Sequence, residues 1–92
     1  MQEWIGKAVV LMVRLDSITY LTGEVTEVTA THITLKRCAW HRQTGRHNEW
    51  FAGNLDSTER ETYPAEQEHV FRLADCPHIT LDWPGKLDLP SV

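Results

Sequence analysis

The sequence predicts a mainly β (α+β) fold: five short antiparallel strands in a barrel-like or strongly bent sheet, with one short helix. Three observations predict it. Apolar residues recur with period two in several short segments, β-branched residues crowd those segments, and clusters of turn-forming residues separate them. The 92 residues make one domain, 1–92, with room for one modest core. A chain of this size buries only roughly 60 to 65 per cent of its unfolded surface, which predicts that a second copy covers some of the rest as a homo-oligomer.

Residues 7–15, KAVVLMVRL, are apolar on both alternation phases, the pattern of a central strand covered on both faces. Residues 19–28 alternate Leu21, Gly23 and Val25 against Thr22, Glu24 and Thr26, then bring Val28 in on the other phase. That change of phase predicts a bulge or the strand's end. Residues 31–38 place Ile33 and Leu35 on one face, and the short Thr29-Ala30 link makes an antiparallel hairpin with the preceding strand. The expected core of this meander is Val9, Leu11, Val13, Leu21, Val25, Ile33 and Leu35.

The alternation breaks at Trp40. Residues 47–52 predict one or two helical turns, with Gly53 as a C-terminal stop. Residues 54–67 are polar, contain Pro64 and carry the mixed charges Glu59, Arg60 and Glu61, which predicts an exposed loop. Two further strands are expected at 68–74 and 77–83, where Phe71 and Leu73, then Ile79, Leu81 and Trp83, recur with period two. The tail after Pro84 reads as extended.

Thirteen acidic residues against nine basic ones give a formal net charge of −4, which argues against a general grip on duplex nucleic acid. No apolar run approaches the roughly 20 residues of a spanning helix, and no secretory pattern opens the chain, so the expectation is a cytoplasmic protein with no membrane partner. In that setting Cys38 and Cys76 are expected to be reduced thiols.

The densest cluster of functional side chains is RCAWHRQTGRHNEWF, residues 37–51. Arg37, Arg42 and Arg46 supply forks for phosphate or carboxylate, and Trp40, His41, His47 and Trp50 supply rings against which a planar group can stack. A helix starting after Thr44, Gly45 and Arg46 adds free backbone amides at the same place. Together these nine residues describe a ligand site for a nucleotide-derived small molecule. The competing reading makes Trp40 and Trp50 core plugs and the arginines a solvated rim.

Cys38 and His41, spaced C-x2-H, with Cys76 and His78, spaced C-x-H, offer the donor types of a zinc site. On a continuous strand, however, Cys38 and His41 point to opposite faces. The expectation is therefore no metal and no other cofactor. Neither a G-x-S-x-G, a P-loop, a dinucleotide fingerprint nor an HExxH occurs, and His41, His47 and Glu49 have no recognisable catalytic neighbours. A non-catalytic protein is predicted.

From Tyr20 onward the chain resembles a group of small phage and prophage proteins of undetermined role. The residues that carry the likeness include Leu21, Gly23, Glu27, Val28, Ile33, Leu35, Gly53, Leu55, Glu61, Pro64, Ile79, Trp83 and Leu89-Pro90. Its most specific part is A-W-x-x-x-T-G-R, running from Ala39-Trp40 to Thr44-Gly45-Arg46, with Glu49 after it. The chain is also loosely similar to the phage Thoeris anti-defence sponge proteins through Ile5-Gly6-Lys7, Gly23, Trp40, Gly45 and Gly53, departing from them in spacing after Trp40 and in its short C-terminal half. That second resemblance implies tight binding of a cyclic nucleotide-type immune signal without cleavage, in pockets formed by oligomers. A different expectation is an SH3-like or Sm-like module that inhibits a host defence protein, as an anti-CRISPR factor does, through an acidic surface that mimics nucleic acid charge.

Overall fold

The structure is a computed structural model, and it describes residues 2–14, 18–42, 47–54 and 59–87. β1 (Ala8–Arg14), β2 (Ile18–Val28) and β3 (His32–Arg42) form the expected antiparallel meander. After β3 come α1 (His47–Phe51), β4 (Glu59–Thr62), β5 (His69–Arg72) and β6 (His78–Leu81), with short 3-10 turns at Gln2–Trp4 and Leu73–Asp75. All pairings are antiparallel, and the sheet runs β4-β3-β2-β1-β6, with β5 on the same edge of β3 as β4. It does not close. None of the helices among the described residues is long and apolar enough to cross a membrane.

The bend in this sheet has a local cause. Between the pairs Thr22↔Ala39 and Glu24↔Lys36, β3 carries one residue more than β2, and Arg37 absorbs the extra length at φ 56°. A second register shift follows between Val25 and Glu27, and β2 ends at Val28, where the change of phase predicted a bulge or the strand's end. On either side of Arg37, β3 takes different partners: His32 to Leu35 pair with β5, and Ala39 to Arg42 pair with β4. Gly23 lies inside the bend, where an added Cβ would come within 3.1 Å of Leu35 Cβ and 3.2 Å of Cys38 Sγ. Only a residue without a side chain lets β2 and β3 approach so closely there.

Every expected core residue of the meander is buried, and Cys38 and Cys76 join that core. Trp4, Val28, Trp40, Tyr63, Phe71, Leu73, Ile79 and Leu81 close around it. β1 is covered on both faces as its composition predicts, because Val10 belongs to a second cluster on the opposite side, with Trp50 and Trp83. That second cluster is where α1 docks.

Three expectations need correction. The third strand was expected to end at Cys38, with the pattern breaking at Trp40, yet β3 continues through Trp40 and His41 to Arg42 because β2 and β4 both pair with it there. The stretch 54–67 was expected to be loop, yet it contains β4, so the sheet has six strands among the described residues, not five. Glu59 and Glu61 are exposed while Arg60 and Thr62 are half-buried, a period-two pattern spelled in charged residues. Backbone pairing with β3 is indifferent to that composition, which is why hydrophobic periodicity missed it. Ile79, Leu81 and Trp83 were expected on one face. Asp82 takes a left-handed φ of 55°, which turns the chain so that Ile79 and Leu81 enter the first core and Trp83 the second. Lys7 holds the turn through its Nζ, 3.1 Å from Asp82 Oδ2.

Candidate functional site

On the face of the sheet opposite Leu21, adjacent strands present Tyr20 and Thr22 from β2, His41 from β3 and Arg60 from β4. Tyr20 sits on the polar phase of its strand, the one sequence signal that this face is used for something other than solvent contact. Over it lies α1, a helix of five residues. A single turn of this kind is not stable alone, and its macrodipole is correspondingly small. The anion site expected at its start therefore receives little from helix geometry.

What holds α1 in place is Trp50. The indole is fully buried, 5.4 Å from the Tyr20 ring, 5.2 Å from His41 and 5.3 Å from Trp83 between centroids. The helix ends in a Schellman turn: Gly53 at φ 100° donates its N–H to Trp50 O, and Asn54 donates to Glu49 O. Trp50 O also accepts the indole N–H of Trp83 at 3.1 Å. Trp83-Pro84-Gly85 thus forms a strap that fastens the end of α1, with Gly53 packed on Gly85.

His41 is 97% buried, its Nε2 lies 2.7 Å from Thr22 Oγ1, and its ring packs edge-on against Trp50 and Trp83. Burial, and then the charge of Arg60, push its pKa down to about 4, so the ring is neutral near pH 7. Two buried polar atoms in this cluster have no hydrogen-bond partner among the described residues: His41 Nδ1 and Trp50 Nε1. An unpartnered buried donor or acceptor costs about 1–3 kcal/mol, so the packed cluster carries an internal penalty.

The remaining candidate residues fall in several places. Arg42 is exposed at the end of β3, opposite Glu59. His47 is exposed at the start of α1, with its ring 5.7 Å from Tyr20 and 6.3 Å from Phe51. Thr44, Gly45 and Arg46 lie outside the described residues. Trp40 points the other way, half-buried against the first core with its ring edge-on to Phe71. Arg37 sits in the bend, its guanidinium 2.8 Å from Glu24 Oε1. Both tryptophans of the cluster are thus packing residues, and Trp50 has no face open to solvent. Half-buried Tyr20 and Phe51, which sequence reasoning did not single out, stand beside His47 in their place.

Cys38 and His41 fall on opposite faces of β3, the thiol in the first core and the imidazole in the second. Among the described residues no three His, Cys, Asp or Glu side chains gather closely enough to hold a metal ion. Comparison with protein-family models, curated proteins and solved structures finds no match to this chain.

Proposed function

We propose that the chain is a non-catalytic binder that sequesters a nucleotide-derived, cyclic nucleotide-type signal of bacterial immunity: a phage anti-defence sponge acting in the cytoplasm of the infected cell. One observation carries the reading. Exposed Arg42 and His47 flank the segment that contains Thr44, Gly45 and Arg46, and the His47 ring rests against the half-buried rings of Tyr20 and Phe51. Guanidinium groups take the phosphates, and the aromatic edge takes the base. The resemblance to phage proteins supports the setting.

The test is a thermal-shift screen of cyclic and linear nucleotides against the purified chain. A ligand at a hundred times its dissociation constant stabilises the folded state by about 2.7 kcal/mol, several degrees for a domain of this size. No shift with any cyclic or linear nucleotide at millimolar concentration counts against the sponge. Light scattering on the same sample tests the companion proposal of a homo-oligomer, which a monomer mass at micromolar concentration removes.

A second reading rests on Glu59, Glu61, Glu66 and Glu68, all exposed on β4 and the β4–β5 connection. They form the acidic surface with which an SH3-like module blocks a basic host protein. Capture of a nucleic-acid-binding host factor, lost when these glutamates become Gln, favours this reading over the first.

A further inference from the structure

We propose that Trp50 is a displaceable plug, and that the space it fills between Tyr20, His41 and Trp83 is a closed pocket for a flat heteroaromatic ring. The choice of a nucleobase as that ring rests on the proposed function; the displacement of Trp50 does not. Three features point to it. Trp50 is the single fully buried side chain of α1, and this five-residue helix has no other deep anchor in the sheet. The plug is also imperfectly satisfied where it sits, because neither its own Nε1 nor the neighbouring His41 Nδ1 has a hydrogen-bond partner among the described residues. An indole held edge-on to the imidazole, with one unpartnered polar atom on each ring, is a poor permanent occupant. Finally, the floor is built independently of α1, because Tyr20, Thr22 and His41 belong to the central strands; the backbone of Trp83 is held by Ala8 O, while its indole N–H, bonded to Trp50 O, is released when α1 leaves.

When α1 swings out, the strand-borne floor of Tyr20, Thr22 and His41 keeps its shape and offers two aromatic rings and an imidazole nitrogen without a partner among the described residues, with the freed Trp83 indole as a third, adjustable wall. A nucleobase fits that chemistry. Its faces replace the indole between the rings, and its edge carries donors and acceptors side by side, so it satisfies His41 Nδ1 in either tautomer. The same outward movement carries His47 with it, which couples base entry to the surface beside Arg42.

Native-state hydrogen exchange tests the plug without any ligand. If α1 opens on its own, the indole N–H groups of Trp50 and Trp83 exchange with protection at least about tenfold below that of the Leu11 and Leu21 amides in the central strands. Equal protection at all four sites means that α1 opens only with global unfolding, and overturns the proposal. Adenine is then titrated while the His41 nitrogen signals and the Trp50–Trp83 ring contacts are followed by NMR. The expected result is a shift at His41 Nδ1 with loss of those contacts. Unchanged signals at millimolar adenine overturn the pocket. Adenosine monophosphate separates this outcome from that of the proposed function: Arg42-dependent binding with Trp50 still in place keeps the sponge and removes the plug. Displacement of Trp50 by adenine with no gain from the phosphate keeps the plug and removes the anion site.

Discussion

The Nε2 of His41 lies 2.7 Å from Thr22 Oγ1, a polar contact between neighbouring central strands placed under two tryptophans. It fixes the imidazole against the sheet and ties the second core to the charge state of one residue. His41 pKa in the folded protein is about 4, below its ordinary value near 6.5, so the unfolded chain binds more protons between those pH values. The stability that neutral His41 contributes is complete above about pH 6.5 and is lost as pH falls toward 4. The full loss is on the order of 3 kcal/mol. Urea midpoints measured from pH 7.5 to 4 should fall for the native chain and fall less for His41→Gln. Parallel curves would mean that other groups control the acid response.

Gly85 stands against the face of Trp83, where an added Cβ would meet the indole at 2.2 Å. That overlap is with a ring locked by its hydrogen bond to Trp50 O, so it cannot be relieved by a simple rotation. Gly85→Ala should destabilise by about 1–3 kcal/mol, as overpacking of a core does, and should raise the solvent exposure of Trp50 and Trp83 fluorescence. Gly6→Ala is the control, since open space surrounds that position and only its φ of 86° opposes the change. A larger loss at Gly6 would refute the strap.

Cys38 and Cys76 share the first core, and burial pushes the Cys38 thiol up to about 12 and raises that of Cys76 as well. Almost no thiolate is present at pH 8, and access is blocked. Both should resist a disulfide reagent in the folded protein and react promptly in urea. Fast labelling without denaturant would show that the first core opens far more often than its packing implies.

Arg42→Ala and Arg46→Ala test the ligand surface directly. Arg42 is exposed, so its removal should change stability by no more than about 0.5 kcal/mol. Loss of a charge-assisted bond to a desolvated phosphate costs about 1.5–3 kcal/mol, roughly ten- to a hundredfold in affinity. Titration beside thermal melting for each variant reads both quantities. A lowered melting temperature with unchanged affinity would assign these arginines to structure.

Much of this architecture is local in origin and therefore readable along the chain. The alternation of β1 to β3, the seven core residues, the short α-helix at His47 and its glycine stop all follow from side-chain periodicity and backbone preference. Even the separation of Cys38 from His41 follows from the pleat alone. β4 was invisible because its register comes from backbone bonds to β3, while its residues are those of a solvated loop. The fate of the tryptophans belongs to tertiary structure as well. Trp40 and Trp50 are ten positions apart and chemically alike, yet the sheet lies between them, and only packing sends one to each core. Trp83 joins Trp50 because one left-handed residue, Asp82, reverses the face on which the chain continues. Composition determined that rings and guanidinium groups would be abundant between Arg37 and Phe51. Which rings fill the interior and which stand at the surface was decided by volume and by the space left above a bent sheet, quantities that no short window of sequence contains.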